Sequence, residues 1–210
     1  LEIARALVDA GHRSVVVSAG GRLVERLVAE GSTHITLDIG RKSLLTLRHV
    51  LSLRRMFADM QPDVVHARSR LPAWIGRLAL GGRARRPCWV TTVHGLNSPS
   101  RYSRVMASGD AVICVSETVR AHVRRHYPDV PPDRLQVIPR GIDPLDFPRG
   151  HRAPPDWLAS HAQPALCGGR LLLMPGRGTR LKGHAEAIDL LAALRGEGVD
   201  ARLWLLGAGE

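Results

Sequence analysis

The sequence predicts an α/β protein built on doubly wound parallel sheets, in two domains of which the second is only begun. Short β-branched runs such as residues 15–17 are too short for helices and are typical of buried parallel strands. Helical patterns separate these runs nearly throughout the chain. Strands that alternate with helices favour right-handed βαβ units and a parallel sheet.

The helical segments are recognised by their apolar spacing. The first places Ile3, Leu7 and Ala10 on one face and ends at Gly11, a common C-terminal signal. Two shorter helices are predicted over residues 22–29 and 117–126. The predicted strands cover residues 15–17, 34–39, 63–66, 89–93, 111–115 and 135–138.

The longest predicted helix covers residues 43–60 and is closed by Pro62. Its apolar positions at Leu44, Leu47, Leu51 and Met56 predict the face that turns toward the core.

A change of composition divides the chain. Five prolines and three glycines fall between residues 143 and 169 and interrupt regular structure. We predict a first domain over residues 1–142, an interdomain linker over 143–169 and the start of a second domain over 170–210. The second domain reads as one βαβ unit: strand 171–174, loop 175–181, helix 182–194 and strand 202–206.

The formal net charge of +11 indicates an anionic partner: nucleic acid, an acidic membrane surface or a phosphate-bearing substrate. The few aromatic residues lack the stacking pattern of single-strand binders, so no nucleic-acid partner is expected. Basic clusters over residues 54–55, 83–86 and 120–126 predict either peripheral contact with an anionic membrane or an arginine-rich solvated face.

The sequence predicts a cytoplasmic protein, either free or peripheral at the inner face of the cell membrane. It has no apolar run of roughly 18 residues and no basic-then-apolar leader. Its three cysteines, Cys88, Cys114 and Cys167, are widely spaced and odd in number. Cys88 and Cys114 lie in apolar strand-like runs and are expected to be buried, reduced thiols.

The loop with the most chemical content is MPGRGTRLKG, residues 174–183, between a predicted strand and a predicted helix. Ligands of parallel sheets bind beyond the carboxyl ends of strands, and a helix N-terminus there favours anions. Arg177 and Lys182 could hold a diphosphate from two sides. The spacing matches neither a P-loop nor a dinucleotide fingerprint, and a basic surface loop with turn glycines is the alternative.

This loop resembles the donor-loop motif G-R-x-x-x-x-K-G of family 4 glycosyltransferases, through Gly176-Arg177 and Lys182-Gly183. The resemblance implies a retaining, nucleotide-sugar-dependent transferase of the GT-B type, with two Rossmann-like domains. Arg177, Lys182 and Gly183 would bind the donor diphosphate. The nucleoside diphosphate sugar would be a substrate, and neither a cofactor nor a dedicated metal is implied.

Further segments match the family in order. They are P-D-V-V-H at 62–66, T-V-H-G at 92–95, V-S-E at 115–117, V-I-P-R-G-I-D at 137–143 and the strand and loop at 203–209. The resemblance implies that His94 is the catalytic residue near the transferred sugar. The candidate cleft residues are Gly95, Ser116, Glu117, Arg140 and Gly141. The chain departs from the family pattern at Arg68, where the family has His, and at Arg140, where it has Asn.

Several of these residues also have structural interpretations. His94 could be a capped or core histidine, and a structural role is favoured for His66. Ser116 is first of all the expected N-cap of a helix. Arg140 could reach phosphate or acceptor, or remain solvated. The pair His122 and His126 has helical spacing for a metal but is surrounded by arginines, so no metal site is predicted.

The resemblance also predicts a fragment. The family's first strand and glycine loop would precede Leu1, and its E-x7-E motif would follow Glu210, so the chain by itself is expected to be inactive. The complete protein is predicted to be a hexosyltransferase acting on a glycan or lipid-linked acceptor, as in lipopolysaccharide or other cell-envelope glycan synthesis. The alternatives are a non-catalytic basic module that binds membrane or nucleic acid, and a nucleotide-sugar epimerase.

Overall fold

A computed structural model describes residues 1–41, 43–82, 86–152, 154–156, 169–179 and 182–207. The chain divides into two compact units, Leu1–Asp146 and Phe147–Glu210. Each unit is described separately below.

The first unit alternates strands and helices, as the sequence predicts. Its strands are β1 (Val15–Ser18), β2 (Thr33–Thr36), β3 (Val64–Ala67), β4 (Cys88–Val93), β5 (Ala111–Cys114) and β6 (Leu135–Val137). Its α-helices are α1 (Glu2–Asp9), α2 (Val24–Ala29), α3 (His49–Met60), α4 (Arg70–Leu80) and α5 (Glu117–His126). The described part of this unit also contains three 3₁₀ segments: Leu44–Arg48, Ser103–Ala107 and Pro132–Arg134.

All strand pairs of this unit are parallel. β1 pairs with β2, and β3, β4, β5 and β6 form one sheet in that order. The register sets Ala67 opposite Thr91, and Val93 opposite Cys114. Because the strands run in one direction, the residues that follow β3, β4, β5 and β6 emerge at the same edge of the sheet. The predicted α/β class with parallel sheets is confirmed.

The core lies against the four-stranded sheet. Trp89 on β4 is 2% exposed, and Ile75 on α4 and Val112 on β5 are fully buried. Helix α4 approaches β4 closely because Gly76 has no side chain: a Cβ there would lie 3.3 Å from the Trp89 ring. This packing holds the strand ends of the sheet in fixed positions.

The predicted helix over residues 43–60 is in part wrong. Its first turn is the 3₁₀ segment Leu44–Arg48, and only His49–Met60 is α-helical. Leu47 and Leu51 are exposed, whereas Leu53 and Phe57 are buried. A 3₁₀ segment has three residues per turn, so its apolar spacing does not continue in phase into an α-helix.

Of the two cysteines that the structure describes, one is buried as expected and the other is exposed. Cys114 on β5 is fully buried, and burial raises the pKa of its thiol. Cys88 is exposed, because it is the first residue of β4, at the rim of the sheet. Cys167 lies outside the described residues.

The second unit contains the predicted βαβ element. Strands β7 (Arg170–Pro175) and β8 (Ala201–Leu206) are parallel neighbours, joined through helix α6 (His184–Gly196). The helix begins two residues later than the sequence predicts. Residues 176–179, 182 and 183 therefore lie between the carboxyl end of β7 and the N-terminus of α6.

The proposed domain boundaries remain a prediction. Near the start of the predicted linker, Asp143 forms an ion pair with Arg5, and Asp146 forms one with Arg26 at 3.2 Å. These four residues belong to the first unit. Residues 157–168 of the predicted linker lie outside the described part of the chain.

Candidate active site

Polar side chains gather at the carboxyl edge of the four-stranded sheet. Arg68 follows β3 directly, His94 follows β4, and Ser116 comes two residues after β5. Arg140 lies three residues beyond β6. In open parallel sheets this edge is where ligands bind. The sequence-predicted residues His94, Ser116 and Arg140 thus lie at one edge of one sheet.

His94 is held by Arg140. The Nη2 atom of Arg140 donates a hydrogen bond to Nδ1 of His94 over 2.9 Å. Because β5 lies between β4 and β6 in the sheet, this bond passes across the carboxyl end of β5. Two strand ends that are not neighbours are thereby tied together by side chains.

The bond with Arg140 determines the form of the His94 ring. A guanidinium group only donates hydrogen bonds, so Nδ1 of His94 must be an unprotonated acceptor and Nε2 must carry the proton. The pKa of His94 is lowered by burial first, and then by the charges of Arg68 and Arg140. At neutral pH His94 is therefore a neutral ring that can donate one hydrogen bond from Nε2.

His66 lies beside this pair and has a structural partner. Its Nε2 is 2.6 Å from Oγ1 of Thr92, which is buried on β4. Burial lowers the pKa of His66, and the charges of Arg68 and His94 lower it further. The hydrogen bond between strands is what the structural interpretation of His66 predicts.

Ser116 and Glu117 begin helix α5. The Oγ of Ser116 accepts a hydrogen bond from the backbone N–H of Val119 at 3.2 Å, so the predicted N-cap is confirmed. The carboxylate of Glu117 pairs with Arg120 one turn later, at 2.6 Å. Both side chains have local partners and owe their positions to the start of the helix.

Gly95 and Gly141 flank the His94–Arg140 pair. A Cβ built on either would meet no described atom within 4 Å. Neither glycine is therefore required by packing within the described part of the chain, and the space beside both is open to a ligand.

The glycine loop of the second unit is held by backbone contacts. The N–H of Gly176 donates to the carbonyl of Leu206 at 2.7 Å, next to the end of β8. A Cβ on Gly207 would lie only 2.0 Å from the carbonyl oxygen of Gly176. The loops that follow β7 and β8 thus touch backbone to backbone, and only glycine fits at position 207.

The two cations of this loop, Arg177 and Lys182, are exposed. The stem of Lys182 lies beside Gly176: its Cγ and Cδ would be 3.7 Å from a Cβ there. Neither Arg177 nor Lys182 has an ion pair or side-chain hydrogen bond with another described residue. Gly183, at φ +73°, is the N-cap of α6. Two cations without a partner among the described residues therefore lie between the end of β7 and the N-terminus of α6.

Sequence reasoning did not assign two residues near these sites. Arg68 differs from the family pattern, and its position directly after β3, matching that of His94 after β4, is the sequence signal that identifies it. His184 is the first residue of α6, and its Nδ1 is buried without a hydrogen-bond partner among the described residues. No sequence pattern indicated that atom.

His122 and His126 do not form a metal site with other residues. Their rings pack with centroids 4.5 Å apart, and His122 is hydrogen-bonded to the carbonyl of Asn97 at 3.0 Å. Over the described ranges, no group of three or more His, Cys, Asp or Glu side chains could hold a metal ion. Nor is any helix in those ranges long and apolar enough to cross a membrane.

Both units thus have the architecture of α/β proteins that bind ligands at the carboxyl ends of parallel strands. The family model of Glycosyltransferase Family 4 matches residues 1–145. The chain belongs to this family. The match includes His94, Ser116, Glu117, Arg140 and Gly141, but it ends before the glycine loop of the second unit.

Solved structures show the same fold over nearly the whole chain. A glycosyltransferase from Rickettsia africae has 28% identity and a TM-score of 0.77, covering 98% of this chain and 55% of its own. HepE from Anabaena, crystallised with UDP and glucose, has 19% identity and a TM-score of 0.75 over 100% and 56%. Sucrose-phosphate synthase from Thermosynechococcus elongatus has 20% identity and a TM-score of 0.70 over 100% and 56%.

The fold is therefore that of the GT-B glycosyltransferases. The chain spans about half the length of these structures. No curated protein sequence matches it.

Proposed function

We propose that this chain is part of a retaining hexosyltransferase that moves a sugar from a nucleoside diphosphate sugar to an acceptor hydroxyl. The second unit would bind the donor through its diphosphate, and His94 of the first unit would contact the sugar. The family assignment and the GT-B fold make a glycosyltransferase the starting point. The donor, the stereochemistry and the residue roles are the proposal.

The proposal depends on Arg177 and Lys182, which are exposed and have no partner in the part of the chain that the structure describes. When the bond to the sugar breaks, negative charge develops on the departing diphosphate. Fixed cations placed where charge develops are usually a large contribution to catalysis. Arg177 supplies a planar guanidinium group and Lys182 a point charge. Together they would neutralise the charge of the diphosphate, as a metal ion does in other transferases. Accordingly, no cofactor and no dedicated metal are proposed.

His94 would act as a hydrogen-bond donor to the sugar. Its Nε2 carries the ring proton because Nδ1 accepts from Arg140. A neutral donor suits a sugar hydroxyl, whose oxygen accepts a hydrogen bond without a charge of its own. Arg140 would thus position His94, while Gly95 and Gly141 leave space beside it.

The complex of Anabaena HepE with UDP and glucose supports a nucleotide-sugar donor. It is evidence about a structural relative at 19% identity, so the base and the sugar of the present donor are left to experiment.

We further propose that the acceptor is a glycan or a lipid-linked sugar of the cell envelope, as in lipopolysaccharide synthesis. The enzyme would work in the cytoplasm, with peripheral contact to the inner face of the membrane.

Exposed Arg55, Arg124 and Arg125 support such a membrane contact. Co-sedimentation with vesicles containing anionic lipid, compared with neutral vesicles, tests it. Equal sedimentation with both would contradict it.

Calorimetric titration with UDP, GDP, ADP and dTDP tests the donor site. We expect one of these to bind, and Arg177→Ala and Lys182→Ala each to weaken it by about tenfold or more, the effect of losing a hydrogen bond to a charged group. Arg170→Ala is the matched control, since Arg170 is an exposed arginine at the opposite end of β7. Binding that survives both loop variants would remove the proposed site.

Assays with nucleotide sugars and polyanions distinguish the transferase from two alternatives, an epimerase and a non-catalytic basic module. An epimerase would convert a nucleotide sugar to its isomer without any acceptor. A non-catalytic basic module would bind polyanions with a steep dependence on salt and would bind no nucleotide specifically.

A further inference from the structure

We propose that the acceptor carries an anionic group, a phosphate or a carboxylate, and that Arg68 and Arg140 bind it beside His94. This inference rests on the proposed function, because it names the acceptor class of the same enzyme. The site lies wholly at the carboxyl edge of the four-stranded sheet, within the first unit.

The first observation is the concentration of basic groups. Arg68, His94 and Arg140 follow three different strands, yet both arginines act on the His94 ring. Arg140 contacts the His94 ring directly, at 2.9 Å. The charge of Arg68 lowers the pKa of both His66 and His94. Both charges disfavour a protonated His94, so the positive charge of this edge rests on the two exposed guanidinium groups and attracts an anion.

The second observation is that the nearest carboxylates of this edge are engaged elsewhere. Glu117, at the end of β5, pairs with Arg120 at 2.6 Å. Asp143, beyond β6, pairs with Arg5. In the described residues no carboxylate forms an ion pair with Arg68 or Arg140. The negative charge that would balance the cluster is therefore not supplied by this part of the chain.

The third observation is that the arginines of this edge have N–H donors available to a ligand. A guanidinium group has five N–H donors, and the structure records one hydrogen bond from Arg140, the one to His94. Arg68 and Arg140 are both exposed. Gly95 and Gly141 leave open space next to His94 and Arg140. Two guanidinium forks beside an Nε2–H donor are the groups that bind an oxyanion in proteins.

The position favours a substrate group over a membrane surface. The basic groups follow strands of one sheet at the same edge, and both arginines act on the half-buried ring of His94. They also surround the residue that is proposed to contact the sugar. An acceptor held by its anion here would therefore be anchored close to His94.

The test is histidine-resolved NMR of the Arg177→Ala/Lys182→Ala double variant, in which the proposed donor site no longer binds phosphate. The His94 ring signals are followed while inorganic phosphate or acetate is added at constant ionic strength. We expect saturable shifts with one of the two anions. We expect Arg68→Gln and Arg140→Gln each to weaken this binding by about tenfold or more. Arg134→Gln, an exposed arginine before β6 at the opposite edge, is the matched control and should change nothing.

Two further ligands identify the source of the group. Glucose 6-phosphate represents a sugar phosphate, and dihexanoyl phosphatidate represents a lipid headgroup. Stronger binding of either one than of inorganic phosphate, lost in Arg68→Gln, supports the proposal and assigns the source.

The proposal is overturned if no anion shifts the His94 signals, or if the shifts persist unchanged in both arginine variants. Its failure is separable from that of the proposed function. Nucleoside diphosphate binding that depends on Arg177 and Lys182 would support the donor site even if the NMR titration rejects the acceptor site.

Discussion

The hydrogen bond from Arg140 to Nδ1 of His94, 2.9 Å long and spanning 46 positions of the chain, joins the ends of β4 and β6 across the end of β5. It fixes the ring of His94 in one tautomer and leaves the Nε2 proton for a ligand. A residue that departs from the family pattern thus positions the residue that we propose to contact the sugar.

The arginines of this edge should have separable effects on the two histidines. Arg68 lowers the pKa of both His66 and His94, whereas Arg140 is a cause only for His94. Arg68→Gln should therefore raise both pKa values, and Arg140→Gln that of His94 alone. NMR titration of the histidine rings measures both. A rise of the His66 pKa in Arg140→Gln equal to that of His94 would contradict the geometry.

The same two histidines should make the protein less stable in acid. Their pKa values in the folded state lie below the ordinary value of about 6.5, so the unfolded chain binds protons first. Their contribution to stability is complete above pH 6.5 or so and is lost as the pH falls below it. Urea unfolding at a series of pH values measures this. Arg68→Gln should flatten the dependence, and an unchanged slope would argue against the role of its charge.

Gly207→Ala should damage the donor loop. The new Cβ would lie 2.0 Å from the carbonyl oxygen of Gly176, and φ at position 207 is +149°. Strain of this kind costs on the order of 1–3 kcal/mol, and nucleotide affinity should fall with it. Gly196→Ala is the control: it lies at the end of α6 with open space around it, and its effect should stay within about 1 kcal/mol. Equal stability and equal nucleotide affinity of the two variants would show that the backbone contact between Gly176 and Gly207 is not needed for either.

Ser116→Ala should lower stability by about 1 kcal/mol, because the first turn of α5 loses its N-cap. Ser116→Asn, which can cap in the same way, should restore most of the loss. The free energy of unfolding in urea measures both. If Ser116→Asn keeps the stability but abolishes sugar transfer, Ser116 has a ligand role beyond the cap.

Sugar transfer by the complete protein should survive chelation. Arg177 and Lys182 would provide the positive charge for the leaving diphosphate, so excess EDTA should leave the rate within about twofold. Loss of the rate with EDTA and its recovery with Mg²⁺ or Mn²⁺ would assign that task to a metal.

The fold could be predicted from the sequence because strands and helices alternate with clear local signals. The predicted helix over residues 117–126 has the observed bounds of α5, since Ser116 caps its start and Pro128 follows its C-cap, Tyr127. The start of α3 could not be predicted in this way. The choice between a 3₁₀ and an α turn at Leu44–Arg48 depends on tertiary packing, which turns Leu53 and Phe57 inward and leaves Leu47 and Leu51 exposed.

The candidate site was predictable only in part. The positions of His94 and Arg177 just after strands could be predicted, because ligand sites of parallel sheets follow a simple rule, and their roles stay predictions. The bond between Arg140 and His94 could not be foreseen, since it depends on the order of strands in the sheet. The role of Arg68 likewise follows from its proximity to two histidines of neighbouring strands.

The measurement that tests the central claim most directly compares the affinity for the preferred nucleoside diphosphate with that for its nucleoside. In the wild-type protein the diphosphate should bind far more tightly than the nucleoside. The ratio of the two dissociation constants reports the contribution of the phosphates to the affinity. We predict that the ratio falls by about tenfold or more in both Arg177→Gln and Lys182→Gln and is unchanged in Arg170→Gln. A ratio that remains at its wild-type value in both loop variants would show that these cations do not hold the diphosphate.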